Sequence, residues 1–392
     1  MSHLIDFSDP EFMAAPWPAY RELRQTQPVH WAPGAKAFMV LRHDDVTRLL
    51  ADQRLTTDFP LRAIRQLFGP TMLDTEGQEH RSLRRAFATF LGARAMTDFG
   101  RALVIDTVEE VLGRLDGTTT VDFTEQVAGP IPFGVATRLL GLPNDDGPRL
   151  HQLVQPLIHA MDYPPGPLDI AQAARAELTD YLLDVHIRPR FPSGHSTLLG
   201  SMVDNGLERT DPEFISTALF FLLAITGTSI AGLGTTVAAI LSQQPPAPWP
   251  DSGMTSAMIT ESLRWEPPVH HVLRYATEDL EVRGVRIGRR MPVMLALGSA
   301  NRDEQAFEQP DRWWPDRPGG RSVTFGAGPH NCLGLSLVTA ELIVLLDRMN
   351  AHFADIRLDE QPVWTRSMGF RGPERMTVTW TSLPHPSKAG VR

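Results

Sequence analysis

The sequence predicts a mainly α chain with a smaller β region, folded as a single domain. Helical spacing of apolar residues recurs through the first two thirds. Alternation of apolar and polar residues is concentrated after Val269, and no linker, repeat or low-complexity tract divides the chain. At 392 residues and 42% hydrophobic content the chain can bury a large core, and its length alone fits one large domain or two ordinary ones. The missing linker selects one.

In chain order, residues 37–41 (AFMVL) read as extended, while 44–50 and 77–90 read as helical. Residues 57–73 form an apolar stretch that suits a cavity wall or plain core packing equally. Helical spacing returns at 101–115 and 168–183, and the breaker PNDDGP at 143–148 separates two candidate helices. Residues 218–241 (ALFFLLAITGTSIAGLGTTVAAIL) carry no charge and meet the length rule for a membrane span. They are followed by QQPPAPWPD rather than a basic flank, which favours a buried core helix. After Val269, LRYATEDLEVRGVRIGRRMPVMLAL reads as short strands with Gly284 and Gly288 at turns. A Pro- and Trp-rich meander at 301–320 leads to a glycine-punctuated loop and a last long helix, 333–349.

Bulk numbers exclude several classes. A net charge of -9 argues against a nucleic-acid binder, which needs a clustered basic excess. A single cysteine excludes an internal disulfide framework and a multi-thiolate zinc site. The N-terminal MSHLIDFSDPEFMAAPWPAY has acids and prolines where an export signal needs a basic start and an apolar run. A cytoplasmic protein without a membrane anchor is expected.

The lone Cys332 falls just before the last helix, in FGAGPHNCLG. A helix N-terminus offers unpaired N–H donors and partial positive charge, which lower a thiol's pKa. Glycines at 326, 328 and 334 let backbone approach a flat group closely. Taken alone, the position also fits a buried inert thiol.

FGAGPHNCLG resembles the heme-binding loop of cytochrome P450 enzymes: Phe325, Gly326, Gly328, His330, Cys332 and Gly334 stand at every fixed position. The resemblance implies that family's triangular single-domain fold over residues 1–392, with heme b buried in it and Cys332 as the axial ligand of its iron. Glu261 and Arg264 in ITESLRWEPP share one helix face and resemble the family's Glu-x-x-Arg pair, with Arg317 in PDRWWPDR as the third, structural member. His80, Arg84, Arg274 and His330 resemble its heme-propionate contacts. The likeness extends from about Pro16 to Trp380.

One segment departs from the pattern. Where the family's distal helix carries a small residue, glycine, any residue, an acid and threonine, this chain reads AITGT. Ala224 and Thr228 fit, Ile225 replaces the glycine and Gly227 the acid. Thr228 is the expected catalytic alcohol, with Thr226 or Ser229 as substitutes that organise water. Hydroxylation with a water- or substrate-assisted relay, an unusual oxidation such as coupling, desaturation, cyclisation or rearrangement, a peroxide-driven reaction, and a non-catalytic heme-thiolate sensor or carrier all remain open.

The expected substrate pocket gathers Phe68 and Met72, then Phe220, Leu223, Ala224 and Ile225, then His270 and Val272, and finally Gly369 and Phe370. Most are apolar, so a small hydrophobic metabolite of secondary metabolism is the expected substrate, with His270 or His271 as a polar anchor. Dioxygen is the expected oxidant. No dinucleotide-binding fingerprint follows a strand, so electrons come from outside. By resemblance the donors are a ferredoxin and its reductase, docking near Arg84, Arg85, Arg94 or His330.

Overall fold

The structure, a computed structural model, describes residues 5–7, 9–60, 62–162, 167–243, 249, 254–367 and 369–383. Its long helices are α1 (Trp17–Thr26), α2 (Gly77–Leu91), α3 (Arg101–Gly113), α4 (Pro130–Leu140), α5 (Gly147–Ala160), α6 (Leu168–Asp184), α7 (Pro212–Leu241), α8 (Thr255–Trp265) and α9 (Leu335–His352). Helix α7 starts with proline at its first position, where the missing N–H has no helical partner to lose. Helix α4 stops at Gly141, whose φ of 87° supplies the left-handed cap.

Shorter helices, among them His43–Leu49 and Ala63–Phe68, and twelve short strands accompany them among the described residues: β1 (Val29–Ala32), β2 (Ala37–Val40), β3 (Leu55–Thr56), β4 (Thr120–Asp122), β5 (His271–Ala276), β6 (Leu280–Val282), β7 (Val285–Ile287), β8 (Pro292–Ala296), β9 (Phe353–Leu358), β10 (Val363–Trp364), β11 (Pro373–Arg375) and β12 (Thr377–Ser382). The main sheet runs β1-β2-β8-β5-β3, with β2 and β8 parallel and its other pairs antiparallel. A second sheet, β4-β12-β9, joins the chain's middle to its end. Strands β6 and β7 meet at Arg283 and Gly284, both at positive φ (49° and 78°), as a tight hairpin requires.

The expected helices are present, and α9 starts two residues later than the pattern predicts and continues to His352. The strands after residue 352 were not anticipated. Each is short, and β12 pairs with β4, far away in sequence, so local alternation carries little of the signal.

The largest core surrounds α7, which packs against α4, α5, α8 and α9. Of its most apolar window, 83% is buried against protein. The membrane-like composition is therefore explained by a helix enclosed on all sides.

Candidate active site

A cavity of about 340 Å³ lies between α7 and the loop that precedes α9. Phe325, Gly326, Cys332 and Gly334 form its floor. Phe220, Leu223, Ala224, Ile225 and Thr228 face it from α7, and Phe68, Met72, Val272 and Phe370 close it from three other segments. These residues, expected from sequence to meet, do meet.

The loop is held by backbone bonds: the Cys332 N–H donates to the Phe325 carbonyl at 2.8 Å, and the Gly326 N–H to the Val323 carbonyl at 2.8 Å. Gly326 and Gly328 adopt φ of 68° and 71°, and a Cβ on Gly328 would lie 2.8 Å from the Leu50 carbonyl oxygen. Side chains are excluded there by both conformation and space.

Cys332 keeps accessible surface, and that surface gives on to the cavity. Burial by the surrounding protein pushes its thiol up, while the Gly334 and Leu335 N–H groups and Arg84 pull it down. The helix terminus by itself predicts a lowered value. Burial outweighs it.

A rim of two arginines and two histidines stands beside the cysteine. Arg84 donates to the Asn331 carbonyl at 2.8 Å and to its side-chain oxygen at 2.6 Å. The His80 ring nitrogens lie 3.1 Å from the Met72 and Pro329 carbonyl oxygens. His330 Nε2 lies 3.1 Å from Glu76 Oε2, and its Nδ1 has no partner among the described residues. Burial lowers the His330 pKa, as do His80 and Arg274, against the pull of Glu76. Burial alone would raise Glu76, yet His330, the Thr57 N–H and the Thr56 hydroxyl bring it to about 2.

Arg274 is buried, donates to the neighbouring Leu273 carbonyl, and makes no ion pair among the described residues. Burial and repulsion from Arg62 bring its pKa down to about 10, with Glu76 opposing. A buried guanidinium without a carboxylate is costly, and an anionic group in the cavity would satisfy it. An apolar slot with a thiol at its floor and cations at its edge fits a flat hydrophobic metal macrocycle bearing carboxylates. Heme has that chemistry.

On α7, Thr228 donates to the Ala224 carbonyl at 2.9 Å and lines the cavity. Thr226 is fully buried, donates to the Leu222 carbonyl at 2.8 Å and is not on the cavity wall. Ser229 does line it. Gly227 turns toward Ile158 and Phe370, and a Cβ there would stand 3.1 Å from Ile158 Cδ1.

His270 is a correction. It is fully buried away from the cavity, against the Trp17 ring at 5.1 Å and Glu266 at 3.4 Å, while Val269 and Val272 take the wall. His271 faces the Tyr20 hydroxyl at 2.8 Å in the same buried cluster. The physical reason is the polar partner set: Glu266, Arg302 and Arg371 already form a buried charge network there, and His270 joins it. Gly369 also lies off the wall, its N–H bonded to Asp162 at 2.8 Å. A further residue passed over in the sequence is Glu341 on α9, an acid among apolar helix positions.

The Glu261 network forms as expected. Arg264 grips Glu261 at 2.7 and 2.8 Å, and Arg317 Nη2 reaches it at 2.9 Å. Arg264 also donates to the Asn301 and Pro310 carbonyls, fastening the meander to α8.

The cytochrome P450 family model matches residues 251–369. Vitamin D(3) 25-hydroxylase of Pseudonocardia autotrophica is 29% identical, covering 94% of each chain. Cytochrome P450 107B1 of Saccharopolyspora erythraea is 28% identical over 92% of this chain and 93% of its own. The ligand-free crystal structure of Mycobacterium smegmatis CYP164A2 superposes with a TM-score of 0.81 at 27% identity, covering 95% of this chain and 98% of its own. That likeness runs nearly end to end over the fold and the cysteine-floored cavity, and it supports a bacterial cytochrome P450, an oxidoreductase.

Proposed function

We propose that this chain holds heme b through Cys332 and uses dioxygen and two electrons, supplied by a ferredoxin and its reductase, to oxidise a small, largely apolar metabolite. A cytoplasmic enzyme of secondary metabolism is the setting this reading implies. The observation that carries it is the meeting on one cavity of Cys332, a buried Arg274 with no carboxylate partner among the described residues, and an apolar α7 wall. When bound, heme supplies the one-electron and dioxygen chemistry.

Each group of side chains has a part. Cys332 would give up its proton to hold the iron, helped by the Gly334 and Leu335 N–H groups and Arg84. Arg274, His330, His80 and Arg84 would hold the propionates, with the paired Glu76 keeping His330 in place. Phe220, Leu223, Ile225, Val272 and Phe370 exclude water and fix the substrate by shape. Thr228 spends its hydrogen on Ala224, so its oxygen accepts a hydrogen bond from water in the cavity. Arg85, beside the Arg84 that holds Asn331, and Arg94, just past the same helix, are exposed, and an acidic electron donor would dock there by charge.

The reduced, carbon monoxide-treated spectrum tests the reading. Wild-type holoprotein gives the red-shifted band of thiolate ligation, and Cys332→His loses it while remaining folded. A well-folded, heme-loaded wild type without that band overturns the proposal.

A peroxide-driven reaction is the second reading, favoured by one observation: among the described residues no carboxylate lines the cavity. Product formed with hydrogen peroxide, at the rate seen with ferredoxin, would support it.

A further inference from the structure

Arg371 directly follows the cavity residue Phe370, is buried, and donates in four directions. Its backbone N–H reaches the Pro268 carbonyl at 2.7 Å, and its Nε reaches Glu266 at 2.7 Å. Its two Nη groups reach the Met13 and Ala14 carbonyls, each at 2.6 Å. Those carbonyls end the short helix Pro10–Ala14, where no helical N–H is left for them and the helix dipole favours a cation. One residue thus joins three segments that lie far apart in the chain.

Two of the three are cavity wall. Pro268, Val269 and Val272 line the cavity from one segment and Phe370 from the other, and the bond from Arg371 to Pro268 fixes their spacing. Helix α7 limits the Phe370 turn as well: a Cβ on Gly372 would lie 2.8 Å from Ala231 Cα, and one on Gly227 would lie 3.5 Å from Phe370 Cδ1. The third segment is anchored elsewhere. Phe12 packs edge-on against Phe7 and Tyr20, with ring centres 5.8 and 5.9 Å apart, and Trp17 lies 3.6 Å from the Arg302 guanidinium. The Tyr20 hydroxyl meets His271, the residue beside Val272, at 2.8 Å. None of these N-terminal residues is on the cavity wall.

We propose that Arg371 is a positioning residue for substrate selection: it transmits the seating of the N-terminal segment to Phe370 and to Pro268–Val269, and so fixes how bulky a substrate the cavity admits. This rests on the reading above, in which that cavity takes an apolar substrate. Arginine suits the task and lysine does not. A planar fork reaches Glu266 and both carbonyls at once, whereas an ammonium on a flexible stem keeps the charge beside Glu266 and lets the carbonyls go.

Full-length wild type, Arg371→Lys and Phe12→Ala are compared by backbone hydrogen exchange, and by spectral titration of the holoenzymes with imidazoles carrying a butyl or a triphenylmethyl group. In Arg371→Lys the amides of 12–20 and of 369–372 both exchange faster than in wild type. Affinity for the triphenylmethyl compound relative to the butyl one rises on the order of tenfold, the low end for discrimination by shape in an apolar pocket. Phe12→Ala leaves the Arg371–Glu266 pair in place, yet it speeds exchange at 369–372 and moves the affinity ratio the same way. It decides the question if Arg371→Lys does not fold. A merely structural role lowers the share of heme-loaded protein and leaves the ratio in that share unmoved. An unchanged ratio in the folded variants, or faster exchange at 12–20 with none at 369–372, overturns the proposal. A wild type without the thiolate-heme band is the separate failure of the oxygen-activating reading, and the exchange comparison then still decides the coupling.

Discussion

Arg84 holds Asn331 by both its backbone carbonyl and its side-chain oxygen, at 2.8 and 2.6 Å, and so ties α2 to the residue before Cys332. His80 on the same helix reaches the Pro329 carbonyl of the same loop at 3.1 Å. Loss of its charged hydrogen bonds in Arg84→Ala costs about 1.5–3 kcal/mol. Heme transfer to an acceptor protein measures the effect: the variant releases heme faster, while Arg81→Ala, on the exposed face of the same helix, does not.

Glu261 carries the charge of both Arg264 and Arg317 inside the protein. Arg264→Ala leaves that carboxylate without its bidentate partner and costs about 3–5 kcal/mol. Denaturant unfolding of the holoprotein reports it, and the heme content of freshly purified variant falls with it.

Burial alone would raise Glu266, but Arg371, His270 and Arg302 hold it down at about 2. A carboxylate lowered in the folded state contributes stability that is present above its ordinary value of 4.5 and lost as pH falls from there through about 2. The contribution is on the order of 3 kcal/mol. Thermal melts between pH 6 and pH 3 fall for the wild type. Glu266→Gln starts lower, because Arg371 and Arg302 lose their partner, and its melts depend less on pH.

Gly227 sits within a helix, so alanine gains about 1 kcal/mol of propensity there while Ile158 Cδ1, the far end of a flexible side chain, yields a few tenths of an ångström. Gly227→Ala is therefore close to neutral. Gly227→Asp puts a carboxylate against Ile158 and Phe370 and loses about 2 kcal/mol or more. Adding Ile158→Ala makes room and recovers part of that loss in the same melting experiment.

Thr228→Ala removes the hydroxyl that lies on the cavity wall. Product per reducing equivalent drops, and peroxide release rises to match, with apolar ligand affinity unchanged. Wild-type coupling in this variant would remove the threonine from the proton path.

The cysteine loop, the Glu261 network and the rim cations were legible in the sequence because each depends on residue type at fixed spacing. Cys332, Gly326 and Gly328 are constrained by local backbone, and Glu261 with Arg264 by one turn of helix. His270 was misplaced because its neighbours Val269 and Val272 face the cavity, and nothing local to the histidine identifies Glu266, Trp17 and the charge cluster that hold it elsewhere. The strands of residues 353–382 were missed for a related reason: β12 finds its partner at Thr120–Asp122.

By itself, the sequence determined that a thiol would stand at a helix start in a glycine-rich loop, with cations and an apolar helix available around it. Only the tertiary structure decided which side of each helix meets the cavity. That is why Gly227 faces Ile158, Ser229 faces inward, and Glu341, written among the apolar residues of α9, is fully buried. Helical spacing fixes which residues share a face, but the face that is buried, and what it is buried against, is set by packing between elements distant in the chain.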